Sequence, residues 1–534
     1  MKHSTGLTGF QKRYVCLLAA ALTLLSACAG GEPALVEETP ALTTAETIAP
    51  PEQAVNSLFG VPYHAGTGAI NPITEPIQMN RDVYSLMFDT LFRVDAQFQP
   101  QYSLCAAAEL DGTALYLAVR DGVQFHDGSA LTAADVVYSL KMAMEDEASV
   151  YRGRFDGVES IEEDGSGRVV LTLAEARPSI PALLDIPIVK RNTGRGTDAV
   201  GSGRYRMMET DGQRYLVPNT AHFTGQSAGT QMTHMLLTEV ADADALVYGA
   251  ASGNIDILRA DAFADGAVEL RADADRYRLD TSELLLIGFR TGGGLFADRS
   301  VRLAAAALLD AKTFCSETLN GGAAAAPSLF QPALGYEFPA ETASASGTPE
   351  ALAAAVANTG GYRRGADGVF KNADGTALTL TMLVNGDAAY SGAAAAAVSG
   401  AFAEAGLTVE IDAKPAQDYA AALEKGSFDL YFGAFDAGAD FDFRPLLRGN
   451  GAENHTGLGN SDLNLLLDAY AQAGTADGEL IARQIAEKVL GEAAIVPIGY
   501  RYTEMLLNRK FGVSNVAPVA GDLFYNVYDW TRRR

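Results

Sequence analysis

Val123-Gln-Phe-His-Asp-Gly-Ser-Ala-Leu-Thr-Ala-Ala-Asp-Val-Val-Tyr-Ser-Leu140 carries the strongest structural signal in this chain of 534 residues. Asp127-Gly128 is typical of a tight turn, because glycine adopts the left-handed conformations that such turns need. Thr132 and Asp135, three residues apart, form a capping box that predicts a helix continuing to Met144. The face of this helix that is expected to be buried carries Val136, Leu140 and Met144.

The segments around this stretch alternate between strand and helix patterns. A strand is predicted for Tyr116–Arg120, shortly before it. Farther along, Leu284–Phe289 and Leu378–Val384 have strand patterns, whereas Ser300–Leu309 and Ala351–Ala357 have helical patterns. This alternation favours an α/β fold with layers of helices and sheets.

Further short motifs follow one another along the chain, and together with residues 123–140 they resemble a known family. The series resembles that of family 5 extracellular solute-binding proteins, the receptors of oligopeptide, dipeptide and nickel ABC importers. It extends from about Gln53 to Trp530, with Arg204 where the family usually has proline. The motifs are Asn71-Pro72, Phe88-Asp89-Thr90-Leu91, Val200-Gly-Ser-Gly-Arg-Tyr205, Ser252-Gly-Asn-Ile-Asp256, Phe296 to Arg302, Ala405-Gly406-Leu407, Phe428-Asp429-Leu430 and Val496-Pro497-Ile498.

The resemblance implies an α/β, two-lobed fold of the periplasmic-binding-protein type (type II) with an additional accessory domain. The implied bounds are 54–90, 193–288 and 502–534 for lobe I, 91–192 for the accessory domain, and 289–501 for lobe II. Such proteins close their lobes on a ligand, and the closed state is the one that binds tightly.

The function that the resemblance implies is capture of a peptide and its delivery to an ABC permease, by a monomer and without a cofactor. No bond is made or broken, so an enzyme is not expected. A nickel chelate or another solute is the alternative within the family. A lipoprotein that signals or acts as a scaffold without import is a further alternative.

The N-terminal segment is typical of a bacterial secretion signal. Positive residues precede the apolar run Val15–Leu25, which is too short to span a bilayer as a helix. Leu25-Ser26-Ala27-Cys28 resembles a lipobox, so residues 1–27 are expected to be removed and Cys28 to carry lipid. Residues 28–53 are rich in Pro, Thr, Glu and Ala and predict a disordered tether. The protein is therefore expected on the extracytoplasmic face of the cell membrane.

The composition limits the partners further. A formal charge of −26 at pH 7 argues against binding to nucleic acid and against electrostatic adhesion to anionic lipid. Of four cysteines, Cys105 and Cys315 fall in different predicted domains, and two buried free thiols are expected rather than a bridge.

An acidic loop is the predicted ligand site. Peptide receptors of the family hold a ligand's ammonium group with an aspartate that precedes an aromatic residue, on a loop after a strand. Here the strand is predicted for Phe428–Phe432 and the loop for Phe435–Asp442, which makes Asp440 with Phe441 the implied pair and Phe435 a neighbouring contact. Asp436 and Asp442 remain possible ammonium ligands, and a solvated acidic loop is the alternative interpretation.

Two more residues are candidates for ligand contact. Arg290 stands where the family usually has asparagine, at the predicted hinge, and arginine binds carboxylates through two hydrogen bonds. Pairing with a surface carboxylate is the alternative for Arg290. His455, in Asn454-His-Thr-Gly457, resembles a family loop near the cleft and is a candidate ligand for a metal or chelate, although the six histidines show no metal-binding spacing.

Gly225-Gln-Ser-Ala-Gly229 matches the nucleophile elbow of serine hydrolases, with Ser227 as the nucleophile. That motif requires a strand before the serine and a helix after it. The residues that follow, Gln231–Val240, have a strand pattern instead. An extracellular hydrolase is therefore an alternative function that the sequence does not favour.

Overall fold

A computed structural model describes residues 58–66, 68–226, 230–263, 273–338 and 347–532. The predicted signal peptide, Cys28, the tether and Ser227 lie outside these residues, so the predictions for them are not tested.

The strands of the described residues form three sheets and three two-stranded ribbons. Sheet A has the order β1-β10-β9-β8 and contains β1 (Phe59–Tyr63), β8 (Tyr205–Thr210), β9 (Gln213–Pro218) and β10 (Met235–Glu239). Sheet B has the order β4-β5-β7-β6 and contains β4 (Cys105–Asp111), β5 (Ala114–Val119), β6 (Val158–Glu163) and β7 (Arg168–Leu173). The ribbons pair β2 (Phe92–Val94) with β3 (Pro100–Tyr102), β14 (Arg363–Arg364) with β15 (Phe370–Lys371), and β20 (Val513–Ser514) with β21 (Thr531–Arg532).

Sheet C is the largest sheet, with the order β11-β19-β12-β18-β16-β17 and β13 paired to β19. Strand β16 is parallel to both β17 and β18, whereas the other pairs are antiparallel. Its strands are β11 (Ile257–Ala260), β12 (Ala274–Phe289), β13 (Ala323–Ala325), β16 (Thr379–Asn385), β17 (Thr408–Lys414), β18 (Leu430–Asp436) and β19 (Ile495–Asn508).

The helices of the described residues are mostly short. Within the described ranges, no helix has both the length and the apolar character needed to cross a membrane. The helices are α1 (Gln78–Met87), α2 (Ala133–Glu145), α3 (Ala243–Ser252), α4 (Arg299–Ala307), α5 (Ala311–Thr313), α6 (Pro349–Asn358), α7 (Ser391–Glu404), α8 (Ala416–Lys425), α9 (Arg444–Leu447), α10 (Ser461–Asp477) and α11 (Glu479–Glu492).

The local predictions around the capping box are confirmed. Helix α2 begins after Thr132, whose side chain and that of Asp135 form the reciprocal bonds of the box. Val136 and Leu140 are fully buried, whereas Met144 is only partly buried. The predicted strands and helices elsewhere coincide with β5, β12, β16, α4 and α6, with ends that differ by a few residues or, for β12, a start ten residues earlier.

Strands β12 and β19 connect two separate parts of the protein. Leu279, in the first half of β12, lies in a hydrophobic core that is continuous beneath sheets A and B. Beyond a register shift between Asp280 and Leu284, alternate residues enter the two cores on opposite faces of sheet C: Leu285 and Ile287 in one, Leu284 and Leu286 in the other. The chain therefore crosses between the cores within paired strands, whereas the exact bounds of the three domains stay a prediction.

Several motifs act by close packing and ion pairing. A side chain at Gly203 or Gly201 would collide with the backbone of Met87, which explains why both positions just before β8 are glycine. Arg204 donates to the carboxylate of Asp522 at 2.8 Å and to the carbonyl of Phe524 at 2.7 Å, so it holds the C-terminal segment against sheet A.

The two described cysteines are free and buried, as expected. Cys105 lies in the core beneath sheets A and B, and Cys315 in one core of sheet C. Burial raises the pKa of each thiol to about 11.

Candidate functional site

The acidic loop begins later than predicted. Strand β18 continues through Phe435 to Asp436, because its pairing with β12 extends to the pair Glu283 and Asp436. The loop proper covers residues 437–443 and leads into α9.

The end of β18 has one open edge. On one side its residues Gly433–Asp436 pair with β12, but on the other side the pairing with β16 ends at Val384 and Phe432. No other strand of the described residues pairs with this edge. Ala434 and Asp436 are exposed there. Unpaired backbone of this kind can accept an extended peptide as an additional strand.

Two of the three aspartates of the loop region bind groups of sheet C or of the loop and helix that follow β18. Asp436 accepts the hydroxyl proton of Ser282 at 2.6 Å and the backbone N–H of Gly438 at 3.0 Å. Asp442 accepts hydrogen bonds from Arg444, with its two oxygens 2.9 and 3.0 Å from Nε. Its burial would raise the pKa of Asp442, but the bonds from Arg444 outweigh this effect and lower the pKa.

Asp440 binds a residue from a distant part of the chain. Its Oδ2 accepts Nε–H of Arg177 at 2.8 Å and a second N–H from Nη2 of the same guanidinium. Ser179 Oγ lies 3.5 Å from the same oxygen. Asp440 is 3% exposed. Burial raises the pKa of Asp440, and the attraction of Arg177 offsets only part of that effect.

A cluster of charges surrounds this ion pair. We call Glu175, Arg177, Asp440, Asp442 and Arg444 the Asp440 cluster. Arg444 donates to Glu175 as well as to Asp442, so both arginines join the segment after β7 to the loop after β18. These segments belong to the predicted accessory domain and lobe II, and the Asp440 cluster therefore links two predicted domains.

The aromatic candidates occupy different environments. Phe441 is fully buried, with its ring 5.0 Å from that of Phe98 and 6.3 Å from that of Tyr500. Its φ of 52° is unusual for an aromatic residue and fixes the loop conformation. Phe435 is partly buried, and its ring lies 5.9 Å from that of Phe443.

Arg290 and His455 lie near the paired ends of β12 and β18 that are farther from the Asp440 cluster. Because β12 ends at Phe289 beside Leu430, Arg290 follows the strand end farthest from the Asp440 cluster, and not the crossing between the cores. Its backbone N–H donates to the carbonyl of Asp429 at 2.9 Å. His455 contacts Glu453 at 3.3 Å and the ring of Tyr431. The structure thus does not bring these two residues together with Asp440, and their ligand contacts stay predictions.

Two candidate chemistries remain, a serine nucleophile at Ser227 and a metal site, and the structure describes the surroundings of the first only in part. After Gly225 the next regular element in the described residues is strand β10, which agrees with the predicted strand pattern and not with a nucleophile elbow. Among the residues described, no group of three or more His, Cys, Asp or Glu side chains is arranged to hold a metal ion.

The sequence did not reveal Glu175, Arg177 and Arg444 of the Asp440 cluster, and Arg177 is the one that binds Asp440. It is 263 positions from Asp440 and lies in Ala174-Glu-Ala-Arg-Pro-Ser179, which matches none of the motifs above.

The comparison with family models matches residues 106–454 to the bacterial extracellular solute-binding proteins, family 5. Among curated relatives, the oligopeptide-binding protein AppA of Bacillus subtilis is 25% identical over 291 residues, which are 49% of this chain and 53% of that protein. Protein XP55 of Streptomyces lividans is 25% identical over 284 residues, 51% of each chain. The chain thus spans about half the length of these relatives.

Solved structures share the fold over most of the chain. AppA of Bacillus subtilis in complex with a nonapeptide has a TM-score of 0.60 at 18% identity, over 89% of this chain and 99% of that one. NikZ of Campylobacter jejuni in complex with Ni(L-His) has a TM-score of 0.64 at 16% identity, with the same coverage. The fold is the two-lobed α/β fold of type II periplasmic binding proteins with an additional accessory domain. With the match to residues 106–454, the chain belongs to family 5 of the bacterial extracellular solute-binding proteins.

Proposed function

We propose that this protein captures peptides in the cleft between its lobes and delivers them to an ABC permease. The observation that carries the proposal is the open edge of β18 at Gly433–Asp436, next to the buried carboxylate of Asp440. An extended peptide bound to that edge would use its main chain, so different side chains would be accepted. A relative that is named as an oligopeptide-binding protein supports the same ligand class.

Asp440 would receive the amino terminus of the peptide. A charge-assisted hydrogen bond between an ammonium group and a buried carboxylate contributes about 1.5–3 kcal/mol. Phe441 would hold the loop in place from within the core, and Phe435 would border the bound chain.

The experiment is to purify the protein, release any bound molecule by mild denaturation and identify it by mass spectrometry, with metal analysis of the same extract. We expect peptides, and we expect that methylation of single backbone nitrogens in a recovered peptide weakens binding where it removes a donor to β18. Recovery of a nickel chelate or another solute without peptide would contradict the proposal and support the alternative within the family.

The location proposed is the extracytoplasmic face of the membrane, with Cys28 as the lipid anchor. The lipobox and the tether composition of residues 28–53 support this assignment. Labelling of cells with an alkynyl fatty acid should mark the wild type and not the Cys28→Ser variant. Equal labelling of both would contradict the anchor.

We further propose that the protein is not an enzyme, since the family binds and transports solutes. A fluorophosphonate probe should leave Ser227 unlabelled. A signal lost in Ser227→Ala would instead favour the hydrolase alternative.

A further inference from the structure

Arg177 occupies the carboxylate that a ligand's amino terminus would need. Two N–H groups of its guanidinium point to the same oxygen of Asp440, and the side chain of Arg177 is 15% exposed. A guanidinium that donates two hydrogen bonds to a buried carboxylate neutralises its charge. An ammonium group approaching Asp440 therefore meets a position that already holds a cation.

The rest of the cluster does not offer a free carboxylate in place of Asp440. Asp442 and Glu175 both bind Arg444. Asp436, at the end of β18, is bound to Ser282 and to the backbone of Gly438. Asp440 and Asp442 are thus paired with arginines, whereas Asp436, outside the Asp440 cluster, is exposed and binds only neutral donors.

Of the two partners, Arg177 is the one that can move. Asp440 precedes Phe441, which is fully buried and held at a φ of 52°, so the loop is fixed from within the core. Arg177 has a long, partly exposed side chain. Its Nη2 lies 3.8 Å from Asp442 Oδ2, which would remain a partner after Arg177 leaves Asp440.

We infer that Arg177 is a specificity-determining residue that competes with the ligand's ammonium group for Asp440. The inference rests on the proposed peptide-binding function. The preference for a free amino terminus is therefore weak in the wild type, because each such ligand must displace Arg177. Peptides with a blocked amino terminus leave the ion pair in place and bind nearly as well.

The test compares two pools of random pentapeptides, one with free and one with acetylated amino termini. Their binding to the full-length protein is measured by equilibrium dialysis with mass spectrometry. The variant is Arg177→Gln, which removes the competing cation. The matched control is Arg444→Gln, which removes a guanidinium from the same cluster that does not bind Asp440.

We expect Arg177→Gln to raise the ratio of free to acetylated peptide binding by about tenfold or more, the effect of one charge-assisted hydrogen bond. Arg444→Gln should leave the ratio near that of the wild type. A ratio that is unchanged or lower in Arg177→Gln, or raised equally in Arg444→Gln, would overturn the inference.

A second variant covers the case in which Arg177→Gln does not fold. Arg177→Lys keeps a cation but cannot place two fixed donors on one oxygen, so a ratio above the wild type supports the inference and an unchanged ratio overturns it. If peptides bind but these ratios do not change, only the role of Arg177 is wrong. If neither pool binds to any form of the protein, the peptide-binding function itself is wrong.

Discussion

Asp522, which is partly buried, and Asp440, which is buried, both bind arginine, but their surroundings differ. Asp522 accepts hydrogen bonds from Arg93 at 3.0 Å, from Arg204 at 2.8 Å, and from Ser85 and the backbone N–H of Phe524 at 2.9 Å each. We call these residues the Asp522 cluster. Asp440 accepts two bonds from a single side chain, Arg177, with Ser179 at the limit of bonding distance.

The pKa values of the two aspartates shift in opposite directions. Burial would raise the pKa of Asp522, but Arg204 and Arg93 outweigh it and lower the pKa. For Asp440, burial raises the pKa more than Arg177 lowers it. The carboxylate with several donors stabilises the fold, whereas the carboxylate with one exchangeable partner is suited to change partners when a ligand binds.

The largest effect is expected from Asp522→Ala. The buried Arg204 and the partly buried Arg93 would both lose their carboxylate, and breaking a buried pair costs about 3–5 kcal/mol of unfolding free energy. Urea unfolding, monitored by fluorescence of Trp530, measures this loss, since Trp530 is the only tryptophan and is 1% exposed in the same core. Ser85→Ala is the control and should cost about 1 kcal/mol. A loss for Asp522→Ala no larger than that of Ser85→Ala would remove the distinction between the clusters.

A smaller effect on stability is expected from Asp440→Asn. Arg177 can regain hydration because it is partly exposed, so we expect a loss of about 1 kcal/mol in the same unfolding measurement. In an Arg177→Gln background, where no cation competes for Asp440, Asp440→Asn should lower the affinity for a free amino terminus by about tenfold, since the charge-assisted bond is lost. Asp436→Asn and Asp442→Asn are the matched controls for binding. If Asp440→Asn binds normally in that background and one of the controls does not, the ammonium site is at that other aspartate.

The two clusters should respond to pH with opposite signs. The contribution of Asp522 is present above the pKa of an unfolded aspartate, about 3.9, and is lost as pH falls through its lower pKa in the folded state. The pKa of Asp440 is raised, so its contribution is largest below the unfolded value and is lost as pH rises through the folded-state pKa. Urea midpoints of the wild type, Asp522→Asn and Asp440→Asn across acidic pH measure both differences. Shifts of the same sign for the two variants would contradict the comparison.

The smallest effect is expected on the labelling rates of the two buried thiols. Cys105 reports on the core beneath sheets A and B, and Cys315 on a core of sheet C. Burial and a pKa of about 11 should keep Cys105 and Cys315 unreactive toward a thiol reagent at neutral pH. Asp522→Ala should speed labelling of Cys105, in the core beneath sheets A and B, more than that of Cys315. Asp440→Asn should speed neither by more than a few-fold. Mass spectrometry of digested, labelled protein gives both rates, and equal acceleration of the two cysteines would mean that the regions are not independent.

Local signals in the sequence predicted much of this fold. The capping box at Thr132 gave the correct start of α2, because its bonds join residues only three positions apart. The end of β18 was not predicted, since it depends on pairing with Glu283 of β12, far away in the chain. Arg290 was expected at the hinge for a related reason: a strand pattern does not show which end of the strand lies at the crossing between cores.

The candidate site was only half visible in the sequence. Motif resemblance pointed to Asp440 and Phe441, but not to the burial of Phe441 against Phe98 or to the ion pair with Arg177. Both contacts join predicted domains, and such contacts depend on tertiary packing rather than on local pattern. The residues that bind Asp440 could therefore be found only in the folded structure.

The most direct test of the account is the distance between the lobes with and without peptide. Spin labels at Tyr248→Cys on α3 and Leu465→Cys on α10, both on exposed positions, can be measured by double electron–electron resonance in a Cys28→Ser background. We predict that a peptide recovered from the purified protein narrows the distance distribution to a single short distance, and that in an Arg177→Gln background Asp440→Asn requires about tenfold more peptide for the same change. A distribution that stays unchanged at saturating peptide would contradict closure on a peptide as the function of this protein.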